Sequence, residues 1–270
     1  MLIDTHCHLD AREFSADTRQ VIERATAAGV QAMVIPAVER GNFEAVRQLA
    51  HQFSGGRYAL GIHPIAVPYA RDEDLDFLKD QVRLALNDER FVGIGEIGLD
   101  FFLPNLKEPA MRARQAAFFD AQLRIAQDFD LPVIVHVRRS QDEVLKYLRR
   151  REAVFGIAHA FNGSFQQAEQ FVGRGFVLGF GGAMTFERAL QIRRLAVELP
   201  LDSLVLETDA PDIPPSWLGE PGSERPRNEP AEVARIGQVL AQLRGVAFDE
   251  IVAATARNAR RALPRLAETA

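Results

Sequence analysis

Short, almost uninterrupted apolar runs alternate along the chain with longer stretches in which apolar residues recur every three or four positions. Eight such runs begin near Leu2, Gln31, Arg57, Phe91, Pro132, Val154, Gly175 and Ser203. They lack the in-and-out alternation of a half-exposed strand. They therefore predict strands buried on both faces, as in a parallel sheet covered by helices. The intervening stretches carry helix signals. Ser140-Gln-Asp-Glu143 and Ser164-Phe-Gln-Gln167 read as capping boxes. Gly29 and Gly173 fit helix ends, and helical patterns resume from Glu229 to Leu240 and from Phe248 to Leu263. Eight βα units in 270 residues predict one α/β domain over 1–270. It is a (β/α)8 TIM barrel with its active site at the C-terminal ends of the strands. An open doubly wound sheet is the structural rival, but it would carry a phosphate-binding glycine turn after its first strand. Here that place holds His6-Cys7-His8.

Two irregular stretches refine this picture. Gly93-Ile-Gly95-Glu-Ile-Gly98 matches the dinucleotide fingerprint in letters, yet Pro104 bars the helix that would have to receive a pyrophosphate. Glu96 would also put a negative charge inside the anion nest, so the nucleotide reading fails. Residues 210–230 hold six of the fourteen prolines and the lone tryptophan, Trp217, and predict a stiff loop over the barrel mouth.

The runs end in side chains that bind metals. His6 and His8 close the first, His63 the third, Glu96 the fourth, His136 the fifth, His159 the sixth and Asp209 the eighth. Residues two apart on a strand share a face, so His6 and His8 present their rings side by side. The mixture of imidazoles and carboxylates predicts two divalent ions, Zn²⁺, Mn²⁺ or Mg²⁺. A carboxylate shared between them offsets part of their repulsion, a role that suits Glu96. His6, His8 and Asp209 complete one site, and His136 and His159 the other. Water between two such ions has its pKa lowered from 15.7 towards about 7, and Asp209 can take its proton as general base.

The runs Asp4-Thr-His-Cys-His-Leu-Asp10, Gly61-Ile-His-Pro64, Gly95-Glu-Ile-Gly-Leu-Asp100, His159-Ala-Phe-Asn-Gly163, Glu207-Thr-Asp-Ala-Pro211 and Arg227-Asn-Glu-Pro230, with the His136 strand, resemble the TatD family of metal-dependent hydrolases. The resemblance spans residue 4 to about 260. It implies an amidohydrolase-like TIM barrel with a binuclear centre, in which His6, His8, Glu96, His136, His159 and Asp209 match the metal ligands. Known members are chiefly deoxyribonucleases, several acting 3′ to 5′ on single strands. The family usually has Cys, Phe, then Ser or Thr after the sixth-strand histidine, where this chain has Ala160-Phe161-Asn162. The ligand is retained, but the pocket wall is altered.

Other residues have two readings each. His63 either donates to a phosphate oxygen during catalysis or fixes its loop before Pro64. Glu207 shares a face with Asp209 and either relays a proton or orients a ligand. Cys7, between two inward histidines, is a buried thiol facing the helices, and His51 lies on the surface. Arg138, Arg139, Arg225 and Arg227 fall in loops on the strand-end side and either hold phosphates or are solvated charges. Phe101, Phe102 and Trp217 either stack on unpaired bases or pack the loops.

A net charge of −5 supplies no global field for polyanions, and one cysteine excludes an intrachain disulfide framework. The N-terminus lacks a secretory pattern and no apolar run spans a bilayer, which predicts a cytoplasmic protein without a membrane or obligate protein partner. The function expected is two-metal cleavage of phosphodiesters, with single-stranded DNA as substrate. The rivals are a small-molecule amidohydrolase acting on an amide, ester or lactone in the same centre, and a scaffold that keeps metal only for stability.

Overall fold

Each apolar run becomes a strand beginning within two residues of its predicted start. The computed structural model describes residues 1–151, 153–219 and 226–266. The strands are β1 (Leu2–Asp4), β2 (Val30–Pro36), β3 (Gly56–Leu60), β4 (Phe91–Asp100), β5 (Val133–Arg138), β6 (Gly156–His159), β7 (Phe176–Phe180) and β8 (Leu204–Leu206). Between them lie α1 (Thr18–Ala27), α2 (Phe43–Ala50), α3 (Glu73–Ala85), α4 (Pro109–Asp128), α5 (Gln141–Leu148), α6 (Phe165–Val172) and α7 (Leu190–Glu198). Two more helices follow, α8 (Val233–Arg244) and α9 (Phe248–Ala262). None is long and apolar enough to cross a membrane.

The strands run parallel in sequence order, β1 to β8. Backbone bonds then tie the last to the first: Thr5 N–H donates to Leu206 O (3.1 Å), Asp209 N–H to His6 O (2.9 Å) and His8 N–H to Ala210 O (2.7 Å). The barrel is closed, which excludes the open doubly wound rival.

Alternation along the strands builds two cores. Val133 and Val135 of β5 pack outward under the helices, while Ile134 joins Ile3, Val92, Ile157, Val177 and Val205 inside the ring. The inward parity of Ile134, Ile157 and Val205 continues to His136, His159 and Glu207, delivering them to the mouth. The β4–β5 register shifts between Ile94 and Ile97, around Glu96. At the opposite end, Ala259, Ala262, Leu263 and Leu266 join the inner core and close the floor. Arg265 fastens that plug, donating to the carbonyls of Phe91 (2.6 Å), Asp88 (2.8 Å) and Leu86 (3.0 Å) at the start of β4.

One of the two capping boxes forms. Ser164 Oγ accepts from Gln167 N–H (3.1 Å) while Gln167 Oε1 accepts from Ser164 N–H (2.9 Å). Ser140 does precede α5, but its hydroxyl donates to Leu99 O (2.6 Å) instead, pinning β4 to the β5–α5 loop. Gly29 follows α1 at φ +88°, a left-handed conformation that favours glycine.

Candidate metal centre

The chain bends after β1, so that His6 and His8 leave the ladder with both rings aimed at one carboxylate. His6 Nε2 and His8 Nε2 lie 3.2 Å apart, 3.1 and 3.4 Å from Glu96 Oε2. Asp209 Oδ1 completes this group at 3.6 and 3.7 Å from the same nitrogens. The other carboxylate oxygen faces a second set: Glu96 Oε1 is 2.8 Å from His136 Nδ1, 2.8 Å from His159 Nε2 and 3.2 Å from His63 Nε2. The His6 and His159 rings stack with centroids 3.9 Å apart, holding the two sets side by side. All six residues predicted as metal ligands therefore converge, joined by His63.

The donor set fits divalent ions. Ligand atoms 2.0–2.2 Å from a tetrahedral ion are about 3.3–3.6 Å from one another, close to the spacings of the His6, His8, Glu96 and Asp209 atoms. Groups of three such atoms lie within 4.8 Å of one another in His6/His8/Asp209, in His6/Glu96/His159 and in His63/Glu96/His136. The cluster also attracts positive charge. Glu96 is held well below the usual carboxylate range: burial opposes its ionisation, and the rings of His63, His159 and His6 overcome that cost. Burial would depress His8 and His159 too, yet Glu96 and Asp209 lift them to about 9 and about 10.

Ring tautomers separate His63 from the others. Ile65 N–H donates to His63 Nδ1 at 3.0 Å, which leaves the proton of a neutral ring on Nε2. Burial lowers its pKa to about 4, so the ring is neutral at physiological pH. Proximity places His63 in the cluster, but its Nε2–H is a donor towards Glu96 rather than a lone pair aimed at an ion. His136 is the opposite case: Nε2 faces Asp100 Oδ2 at 3.1 Å, so Nδ1 turns its lone pair to the centre.

Comparison with known proteins places this arrangement in a family. Residues 3–264 match the model of the TatD related DNase family. The chain belongs to that family of metal-dependent hydrolases. It is 41% identical over 258 residues to Escherichia coli YjjV, described as a metal-dependent hydrolase, with 95% of both chains covered. It is 32% identical over 270 residues to the human deoxyribonuclease TATDN3, covering 98% of this chain and 95% of that one. The crystal structure of YjjV superposes with a TM-score of 0.89 at 38% identity, covering 97% and 98% of the two chains.

In this TatD-family barrel the centre floors a cavity of about 1260 Å³. Arg138, Arg139 and Phe102 line its wall, with the two guanidiniums 4.0 and 4.7 Å from the Phe102 ring centroid. Arg227, expected at this rim, does not line it. Its guanidinium bonds Asp17 (2.7 and 2.8 Å), Glu229 (2.6 Å) and Glu13 O (2.8 Å), tying the loop before α8 to the segment before α1. The ion pair spans 210 residues of sequence, so no local pattern reveals it. Arg225 lies outside the described residues. Trp217 and Phe101 also sit off the cavity wall: Trp217 Nε1–H donates to Glu232 (2.7 Å), and Phe101 packs under Arg112. Cys7 is fully buried in the outer core, and His51 is an exposed partner of Asp88 at 2.9 Å.

Two carboxylates were missed as site residues. Asp100 orients His136, and its Oδ1 accepts from Phe102 N–H (2.7 Å) and Leu103 N–H (3.2 Å). Its place four residues after Glu96 on one strand was an available signal. Asp4 is fully buried and accepts from Thr208 N–H (2.9 Å), Thr208 Oγ1 (2.5 Å) and His6 N–H (3.3 Å), locking the two strands that carry His6 and Asp209. Burial lifts its pKa to about 7 against those bonds. Glu207 Oε1 accepts from Ala160 N–H (2.5 Å) and lies 3.8 Å from His159 Nδ1, while Oε2 has no partner among the described residues. Burial raises it to about 8.

Proposed function

We propose that the protein is a two-metal phosphodiesterase that degrades single-stranded DNA from the 3′ end, the whole barrel of residues 1–270 acting as one unit. The observation that carries this reading is the division of the Glu96 carboxylate, one oxygen to each of two donor sets, beneath two cavity-lining guanidiniums. The deoxyribonuclease named among the relatives supports DNA as the polymer, and the family resemblance supports action from the 3′ end. The exposed Phe102 ring in the wall offers an unpaired base a face to stack on, which supports single strands.

His6, His8 and Asp209 would hold one ion and His136 and His159 the other, with Glu96 between them. Divalent ions there would supply a nucleophile at neutral pH and polarise the phosphoryl oxygens. Asp209, at the cavity surface, accepts the proton of the attacking water. Neutral His63 lines the cavity, and its Nε2–H, 3.2 Å from Glu96 Oε1, passes from that oxygen to a phosphoryl oxygen as charge develops. Asp100 holds the His136 ring in the tautomer that faces the centre, and Glu207 sets a carboxylate 3.8 Å behind Nδ1 of His159. Arg138 and Arg139 fix the backbone on either side of the scissile bond.

The test is turnover of a 5′-labelled single-stranded oligonucleotide with Mg²⁺, Mn²⁺ or Zn²⁺. The products should shorten from the 3′ end, and the rate should fall as salt rises. If no phosphodiester is cleaved with excess metal while an amide, ester or lactone is, the amidohydrolase reading replaces this one.

A further inference from the structure

A second cavity, of about 610 Å³, opens beside the metal-lined one. Asn162, Gln191 and Ile213 line both, so the two adjoin. Its walls come from the loops after three successive strands, with Asn162 following β6, Phe186 and Leu190 following β7, and Ile213 following β8. We propose that this annex is a base-recognition subsite, receiving the nucleobase next to the scissile phosphate with Asn162 reading its edge. The inference rests on the nuclease reading above.

The chemistry of the lining selects such an occupant. The walls are mainly apolar, and among their described residues none is acidic. The one charged lining residue, Arg188, has its guanidinium 5.5 Å from the Phe186 ring centroid. A second phosphate would meet a single guanidinium among the described lining residues, that of Arg188, and an aliphatic chain would leave the Asn162 amide at the inner edge unmatched. A nucleobase is flat and uncharged, with apolar faces and a rim of donors and acceptors. Phe186 and Leu190 suit its faces; Leu190 is left 75% exposed at the opening, an apolar side chain with nothing over it. Asn162 suits its edge. Its backbone carbonyl accepts from Gln141 Nε2 at 2.7 Å, but its side-chain amide has no partner among the described residues and offers both a donor and an acceptor.

Position adds a second argument. Arg138 and Arg139 come from the end of β5 and Phe102 from the loop after β4, whereas the annex is built after β6, β7 and β8. A ligand bridging both walls across the metal centre must carry anionic groups at one side and a flat apolar group at the other. A nucleotide chain does.

The experiment walks one abasic residue along a single-stranded oligonucleotide and measures kcat/KM for the wild type and for Asn162→Ala, Phe186→Ala and Ala189→Phe, the last filling the annex. One position should be sensitive, its abasic form losing about 5- to 100-fold, the worth of one stacked base. At that position the losses from Phe186→Ala and from base removal should not add, because both delete the same contact. Asn162→Ala should flatten the preference among the four bases there. Thermal melting checks that each variant folds, and Ala189→Phe keeps the test decisive if Phe186→Ala does not. Equal sensitivity at every position, or additive losses, would overturn the subsite while leaving the nuclease intact. Failure of the wild type to cleave either the intact or the abasic strand overturns both.

Discussion

Replacing Asp100 by Asn removes one charge from beneath His136 and changes almost no volume. Oδ1 of Asp100 accepts two backbone N–H groups, from Phe102 and Leu103, and Oδ2 faces His136 Nε2 at 3.1 Å. In Asp100→Asn the amide oxygen must keep the two backbone donors, which places Nδ2 against His136 Nε2. Two N–H groups cannot face each other there, so the ring is driven to carry its proton on Nδ1. That nitrogen lies 2.8 Å from Glu96 Oε1 and 3.3 Å from His159 Nε2, and protonating it removes the lone pair aimed at the centre. Loss of such an outer partner costs about 10- to 100-fold in metal affinity or activity, or about 1.4–2.7 kcal/mol. Isothermal titration with Mn²⁺ or Zn²⁺ should show one of two sites weakened by that factor and the other retained. Nitrogen-15 NMR of the histidine rings should report the tautomer change. Unchanged affinities at a stoichiometry of two would refute the reasoning, because the carboxylate would then have no hold on the ligand.

Three further outcomes follow from the same geometry. Arg138→Ala and Arg139→Ala should each reduce the slope of log kcat/KM against log salt on single-stranded DNA by about 0.7, the share of one phosphate contact. Arg227→Ala should leave kcat/KM unchanged but lower Tm by a few degrees, since its partners are Asp17, Glu229 and Glu13 O. The Arg227 hydrogen bond first, and Arg24 after it, holds Asp17 at about 2 rather than 3.8. The ion pair's contribution is therefore present above pH 4 and lost as pH falls towards 2, so the Tm gap between wild type and variant should close over that window in scanning calorimetry. Chelation should stop turnover reversibly and lower Tm by about 5–10 °C relative to protein at a hundredfold excess over Kd.

The barrel was legible because strands buried on both faces leave uninterrupted apolar runs, and the clustered histidines and carboxylates because each stands where such a run meets the mouth. What escaped depended on partners remote in sequence. Asp4 reads as an ordinary strand residue until Thr208, 204 positions away, is seen to bond both its oxygens. Ser140 has the spacing of a capping box, yet Leu99 O competes for its hydroxyl. Arg227 resembles a rim cation until Asp17 and Glu229 enclose it. The two readings of His63 turn on which ring nitrogen Ile65 N–H occupies, a detail of backbone course that no residue pattern encodes.

The seam between β1 and β8 has a consequence for the newly made chain. His6 emerges from the ribosome 203 residues ahead of Asp209. A metal-dependent hydrolase is thus assembled with the donor set of its candidate centre divided between segments made far apart in time. Until Asp209 is made and the ring shuts, no nascent fragment holds the full donor set that converges on Glu96.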